Sequence, residues 1–282
     1  MTALLPFIAA FLQAGSFAFD KAILNIRRIS WKTYIAVSYP LLFVVDAVIF
    51  FIVRPPFGWH LFTGIPGALV LTSIGMLIIT NLLYYRALKD DLLTEMQTLG
   101  LLNQVPVILV GFILFSDERR IVPLIAALVA SLAVFWSHWE HHKMNIRPRT
   151  LPFIIWLLIS TPILASFAKV ILAAWNPIVL EMVRDGATAL ILFPLFVSSI
   201  RDVPRRGWFM LFATNILSAT AWILYFTGYK TVGIVYTVLV FSLMPLLTYF
   251  FSVAFLNEPL VKKKLIAFLV VLASIATAQF LR

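Results

Sequence analysis

Apolar residues in this chain gather into runs of about 20, the length a helix needs to cross the hydrocarbon core of a bilayer. Ten such runs are spaced along it, at 3–20, 34–53, 64–86, 92–115, 121–139, 151–170, 177–200, 208–227, 231–256 and 264–281. Backbone polar groups in lipid must find partners within their own segment, so each run predicts a transmembrane helix. The runs are continuous rather than alternating, which argues against a transmembrane barrel. The breaks between them are short. The longest, 140–150, holds His141-His142-Lys143-Met144-Asn145-Ile146-Arg147-Pro148-Arg149-Thr150. No segment remains for a soluble domain.

The order of landmarks occurs twice. Tyr84-Tyr85, Lys89, Pro106, Glu118 and Leu124-Ile125-Ala126-Ala127-Leu128-Val129 return as Tyr225-Phe226, Lys230, Pro245, Glu258 and Leu265-Ile266-Ala267-Phe268-Leu269-Val270. Four of these landmarks recur at offsets of 139 to 141 residues. Upstream, Phe19-Asp20-Lys21-Ala22-Ile23-Leu24 matches Phe167-Ala168-Lys169-Val170-Ile171-Leu172, and Gly58-Trp59 matches Gly207-Trp208. Those offsets are 148 and 149, so the first copy has a longer third segment or loop. We read an internal duplication, with one unit at 1–140 and its copy at 150–282.

Five segments per unit is an odd number, so the second unit must enter the membrane inverted. The basic residues agree in part. The break after the first segment holds Lys21, Arg27, Arg28 and Lys32, while its copy has Lys169 alone. After the second segment the bias reverses, with Arg54 alone against Arg201, Arg205 and Arg206. Arg119 and Arg120 lie on the side expected to be poor in positive charge. Taken over all breaks, Lys and Arg concentrate after odd-numbered segments, which the positive-inside rule makes cytoplasmic. Both termini are then extracytoplasmic, in a multi-pass protein of the cell (inner) membrane.

Composition sharpens this picture. The 282 residues are 62% hydrophobic and 12% charged, with a mean hydropathy of +1.00; a soluble domain carries about 25% charged residues. The net charge of +10 sits in short breaks between apolar runs, so it reports topology and nucleic-acid binding is not expected. Cysteine is absent, which removes disulfides, thiolate metal sites and cysteine nucleophiles together. No Lys or Arg precedes the first run, as a signal peptide requires, so that run is expected to stay as a helix.

An aromatic pair closes the third segment of each unit. A segment with an internal Pro follows, ending in Phe115-Ser116-Asp117-Glu118 or Leu256-Asn257-Glu258-Pro259, and then a helix rich in small residues. This order resembles the EamA-type repeat of the drug/metabolite transporter superfamily, over nearly the whole chain. The first copy departs from the second in lacking the Pro after its Glu. The resemblance implies an all-α membrane protein with ten transmembrane helices in two inverted five-helix repeats. It also implies a central substrate path and export or exchange of metabolites, without specifying which.

Charges within a span cost about 2.5–3.5 kcal/mol each on insertion scales, so those present call for a reason. Asp46 stands mid-segment in Val44-Val45-Asp46-Ala47-Val48, with no charged neighbour within four residues. A lone carboxyl there suits proton loading and release, or a hydrogen bond to a neighbouring helix. Glu181, Arg184 and Asp185 share one helical face by their spacing. They could coordinate substrate or protons, with Arg184 receiving an anionic group, or neutralise one another near the interface. Gln97, Gly100 and Gln104 form a polar stripe with Glu95 and Asn103 beside it, and Gln13, Ser16 and Asp20 form another. Such amides recognise a polar solute or bond neighbouring helices. Trp222 is the aromatic residue selected for a substrate path. Glu118 and Glu258 read as anchors or caps, Lys21 and Lys169 as snorkelling ends. Pro106 and Pro245 are expected to kink their helices. His138 and His142 have ligand spacing, but no third ligand is evident, so no metal is expected.

These features favour a secondary active transporter of small metabolites, an exporter working by alternating access and coupled to protons through Asp46 and the acids near 181–185. A lipid-linked sugar flippase of the same fold is the first alternative, and a non-transporting membrane partner the second. The chain lacks Gly-x-Ser-x-Gly, His-Glu-x-x-His and phosphate-loop motifs, so no enzyme and no cofactor is expected. The expected partners are a small-molecule substrate, the lipid bilayer and protons, with the chain a monomer or a homodimer.

Overall fold

The computed structural model describes residues 2–90, 93, 103–138, 150–200, 203–256 and 262–280. Among these the chain is helical throughout and has no strand. The helices are α1 (Leu5–Leu24), α2 (Trp31–Val53), α3 (Gly64–Asp90), α4 (Gln104–Leu114), α5 (Ile121–His138), α6 (Leu151–Ala174), α7 (Pro177–Phe196), α8 (Arg205–Val232), α9 (Ile234–Phe241), α10 (Met244–Leu256) and α11 (Lys262–Phe280).

Helix ends follow local chemistry. Ser30 caps α2, its hydroxyl accepting from the Thr33 N–H at 3.0 Å. Asn176 caps α7 by accepting from the Ile178 N–H at 2.9 Å, with Pro177 at the first helical position. Gly233, at φ +92°, turns the chain between α8 and α9.

Where ten spans were expected, six helical stretches among the described residues are long and apolar enough to cross a membrane: Thr2–Leu24, Trp31–Val53, Gly64–Lys89, Leu151–Ala174, Arg205–Val232 and Ile234–Phe251. Helix α7 has 20 residues but carries Glu181, Arg184 and Asp185. Helix α11, of 19 residues, opens on Lys262-Lys263-Lys264. Gln104–Leu114 and Ile121–Ser137 are shorter apolar helices.

The helices expected to end at 86, 170 and 227 run on to Asp90, Ala174 and Val232. Lysines within these extensions bond carbonyls of other helix ends. Lys89 donates to the Leu24 carbonyl at the end of α1, and Lys230 donates to the Trp175 carbonyl just past α6 at 3.3 Å. The repeated Lys thus does the same work twice. The expected span 231–256 is two helices, broken at Ser242-Leu243, three to two residues before Pro245. A proline cannot donate to the preceding turn, so the break falls where the ladder loses a bond.

The shift in offset has its source in the loop before α3. The turn Trp59–Phe62 precedes that helix, whereas Gly207-Trp208 already lies inside α8. Gly58-Trp59 is therefore not the structural counterpart of Gly207-Trp208. The helices α3 and α8, of 27 and 28 residues, are nearly equal.

Helix α1 packs on α8 and α10, α2 on α7 and α8, α3 on α6 and α7, α4 on α6 and α9, and α5 on α11. Every residue of α9 is buried, which puts this short helix in the middle of the bundle. Trp175, Val179, Leu180 and Leu239 belong to the same core cluster.

Candidate functional site

Helix α7 enters the bundle against α2, and this contact gathers Asp46, Glu181, Arg184 and Asp185. Gly186 lies so close to Phe43 of α2 that a Cβ there would stand 2.8 Å from the ring. One turn from that contact, Asp185 and Asp46 lie within electrostatic reach of each other. Asp46 is fully buried, 0% exposed, while Asp185 keeps some accessible surface. Neither oxygen of Asp46 meets an N–H or O–H donor.

The other two charges of α7 pair with each other. The Arg184 guanidinium donates to Glu181 at 3.0 Å, and both side chains are buried. The same guanidinium lies 5.2 Å from the centre of the Phe226 ring on α8, an attractive arrangement for a desolvated cation. Its Nε is buried without a partner. The expectation that Arg184 receives an anionic group therefore meets a guanidinium already engaged on one edge and one face. Tyr39 of α2 stands within electrostatic reach of Asp185, Asp20, Glu181 and Arg184.

Trp222 sits one ring away from this group. It stacks on Phe226 at 5.9 Å and meets Tyr225 at 5.3 Å and Phe241 of α9 at 6.1 Å. Thus Asp46, Glu181, Arg184 and Asp185 come together, and Trp222 touches them through Phe226. Gln104 stands elsewhere, in the first turn of α4, buried with its carbonyl oxygen unpartnered. Its neighbour Asn103 donates to Thr161 of α6 at 3.1 Å. Gln97, with Glu95, Gly100 and Glu258, lies outside the described residues, as does most of the His141-His142 tract. Among the described residues no group of three His, Cys, Asp or Glu is arranged to hold a metal.

A second polar centre joins α1 to α8. Asp20 accepts from the Tyr34 hydroxyl at 2.5 Å and from Thr214 at 2.6 Å. Thr214 has one proton, so it accepts in turn from Ser16 at 2.8 Å. Ser38 donates to Asn215 at 2.6 Å. The stripe Gln13, Ser16 and Asp20 was legible in the sequence, but its partners were not named there. Thr214, Asn215 and Ser218 on one side of an apolar helix were the available signal.

Glu118 proves to be a cap. Its carboxylate accepts from the backbone N–H groups of Ile234 at 2.7 Å and Val235 at 3.2 Å, at the start of α9, and from Lys169 at 2.7 Å. Lys169 also donates to Asp117 at 2.6 Å. That hydrogen bond holds the exposed Asp117 carboxyl below its ordinary range.

Long apolar helices, a buried charged centre and short connections define a multi-pass helical membrane protein. Residues 150–278 match the model of the EamA-like transporter family, which places the second half of the chain in that family. A solved structure described only as the crystal structure of a protein aligns over 99% of this chain and 98% of its own, with a TM-score of 0.75 and 15% identity. At that identity the likeness is one of fold. No curated protein matches the sequence. The resemblance read from the repeated landmarks is thus met by the family match in the second half.

Proposed function

We propose that the protein is a secondary active transporter of small metabolites, working by alternating access about a site between α2 and α7. The observation that carries this reading is the buried group Asp46, Glu181, Arg184 and Asp185 on two helices that pack on each other. Buried ionisable groups within spans mark ion and substrate paths by default. In this reading the chain is two inverted five-helix repeats, at 1–140 and 150–282, with ten spans.

The pattern of helix neighbours supports the inversion. Exchange of equivalent helices maps α1–α8 onto α6–α3, α1–α10 onto α6–α4, and α2–α8 onto α7–α3, all of which are observed pairs. The pairs α2–α7 and α5–α11 map onto themselves. A self-mapped pair lies on the axis relating the halves, so the charged site on α2 and α7 is central in this scheme. The shared work of Lys89 and Lys230 supports it too.

Protons are the coupling ion in this reading, through the Asp46–Asp185 pair, and export is the direction. The basic breaks put both termini on the extracytoplasmic face of the inner membrane. Gln104, and Gln97 by its place in the sequence, would contribute from α4, and Trp222 would wall the site through Phe226.

Reconstituted vesicles test this directly. Counterflow of a labelled metabolite panel should show saturable exchange that Asp46→Asn and Arg184→Gln abolish. An imposed pH gradient should drive net movement. Exchange that is intact in both variants would remove the site, and net movement indifferent to the gradient would remove the coupling.

A further inference from the structure

The end of α1 and the starts of α2 and α8 bring five cations to one rim of the bundle. Arg27 and Arg28 lie in the α1–α2 connection, Lys32 in the first turn of α2, and Arg205 and Arg206 open α8. All five side chains are exposed. Packing holds the two groups side by side. A Cβ on Gly207 would stand 3.2 Å from Ile29, and Thr33 donates to the Ser199 carbonyl, just beyond α7, at 2.7 Å. Lys32 lies 5.7 Å from the ring centre of Trp31 and 5.9 Å from that of Phe196. Among the described residues none of the five pairs with a carboxylate.

This concentration of charge has a local cost. Cations are unfavourable at the positive end of a helix dipole. Arg205 and Arg206 nevertheless fill the first turn of α8, which has no acid and no side-chain cap. An anion at this rim would relieve both the mutual repulsion and the uncapped turn. Four of the five cations are arginines, whose planar fork fits phosphate oxygens in pairs. The run Lys262-Lys263-Lys264 at the start of α11 differs in kind, since Lys263 and Lys264 lie over the rings of Trp136 and Tyr249.

Beneath the cations runs an apolar strip. Phe209, Phe212 and Ile216 follow Arg205 on one face of α8, all three exposed. From Arg205 to Ile216 the helix rises about 16 Å, close to one leaflet's share of a hydrocarbon core about 30 Å thick. Trp208, also exposed, stands between the cations and the strip, the usual place of an interfacial tryptophan. A soluble anion would use the cations and leave the strip idle. A neutral lipid would do the reverse.

We propose that this rim binds an anionic phospholipid of the membrane the protein spans. Its phosphate sits between Arg27-Arg28 and Arg205-Arg206, and an acyl chain follows Phe209, Phe212 and Ile216. The site is separate from the charged group on α2 and α7 and does not depend on the carrier reading.

The test uses the full chain in dodecylmaltoside at low salt. Dioleoylphosphatidylglycerol is titrated in, and the lipid retained is counted by native mass spectrometry. Dioleoylphosphatidylcholine, glycerophosphoglycerol and inorganic phosphate serve as comparisons. Phosphatidylglycerol should bind more tightly than phosphatidylcholine and raise the unfolding temperature, as binding to the folded state demands. A cation near a lipid surface contributes roughly fivefold. Arg205→Gln with Arg206→Gln should therefore weaken phosphatidylglycerol about 25-fold, and Arg27→Gln with Arg28→Gln should do the same. Lys262→Gln with Lys263→Gln removes equal charge elsewhere and should leave the binding unchanged. The unfolding temperature without lipid reports whether each variant folds, and either arginine pair suffices for the test. Equal retention of the two lipids, equal losses in the arginine and lysine variants, or no loss in an arginine pair that folds would each overturn the proposal. Glycerophosphoglycerol or phosphate binding as tightly as the lipid would overturn it in favour of a soluble anion.

Discussion

Replacing Glu118 by Gln removes one negative charge and little volume. In the native protein that carboxylate, 6% exposed, takes two N–H groups at the start of α9 and the ammonium of Lys169. Hydrogen bonds to charged groups are worth about 1.5–3 kcal/mol each. A charge at a helix N-terminus adds about 0.3–1 kcal/mol. The amide can keep one acceptor contact, but its NH₂ cannot accept the second, and Lys169 is left facing a neutral group. The expected loss is about 2–4 kcal/mol, close to the cost of breaking a buried pair. Asp117 serves as an internal control. It bonds the same Lys169 at 2.6 Å but is 64% exposed, so Asp117→Asn should cost about 0–1 kcal/mol. The assay is reversible unfolding in mixed dodecylmaltoside and SDS micelles, followed by the fluorescence of the eight tryptophans. Equal costs for the two substitutions, or a cost for Glu118→Gln within about 0.5 kcal/mol of zero, the range of ordinary surface changes, would refute the capping argument.

Further outcomes follow from the same geometry. Gly233→Ala places a Cβ 2.7 Å from the Glu118 carboxylate at φ +92°, and should cost about 1–3 kcal/mol in the same micelle assay; the penalty should shrink in a Glu118→Gln background, because the two changes disturb one cap. Thr214→Val deletes a donor to buried Asp20 while keeping its shape, at about 1–3 kcal/mol; removing Asp20 as well, as Asn, should recover part of it in a double-mutant cycle. The Asp117 carboxyl is held below its usual 3.8 by the Lys169 hydrogen bond, so its contribution is complete above 3.8 and fades as pH falls through the lowered folded value. The pH profile of unfolding should lose that small acid-side slope in Asp117→Asn.

The helices were legible because length and apolarity suffice to specify a span. Their ends were not. Lys89 and Lys230 read as boundary charges, yet carbonyls at the ends of other helices satisfy them, so α3 and α8 run further than hydropathy suggests. Pro245 announced a bend, whereas the packed centre turned it into two separate helices. The face shared by Glu181, Arg184 and Asp185 was readable from spacing. That this face meets Asp46 was not, since periodicity orients a side chain on its own helix and says nothing of the neighbour. Glu118 was readable as a cap, but the helix it caps lies more than a hundred residues away in the chain. The Gly58-Trp59 match shows the opposite hazard, since similar pairs occupy a turn in one place and a helix in the other.

The two lysine ties have a mechanical consequence. Lys89 fastens the far end of α3 to that of α1, and Lys230 fastens α8 to the end of α6. In the proposed alternating-access cycle each bolted pair would travel as one lever. The gap at Ser242-Leu243 is a joint in that reading. Any stroke that exposes the Asp46–Asp185 pair first to one side and then to the other must bend at such joints, while the levers keep their shape.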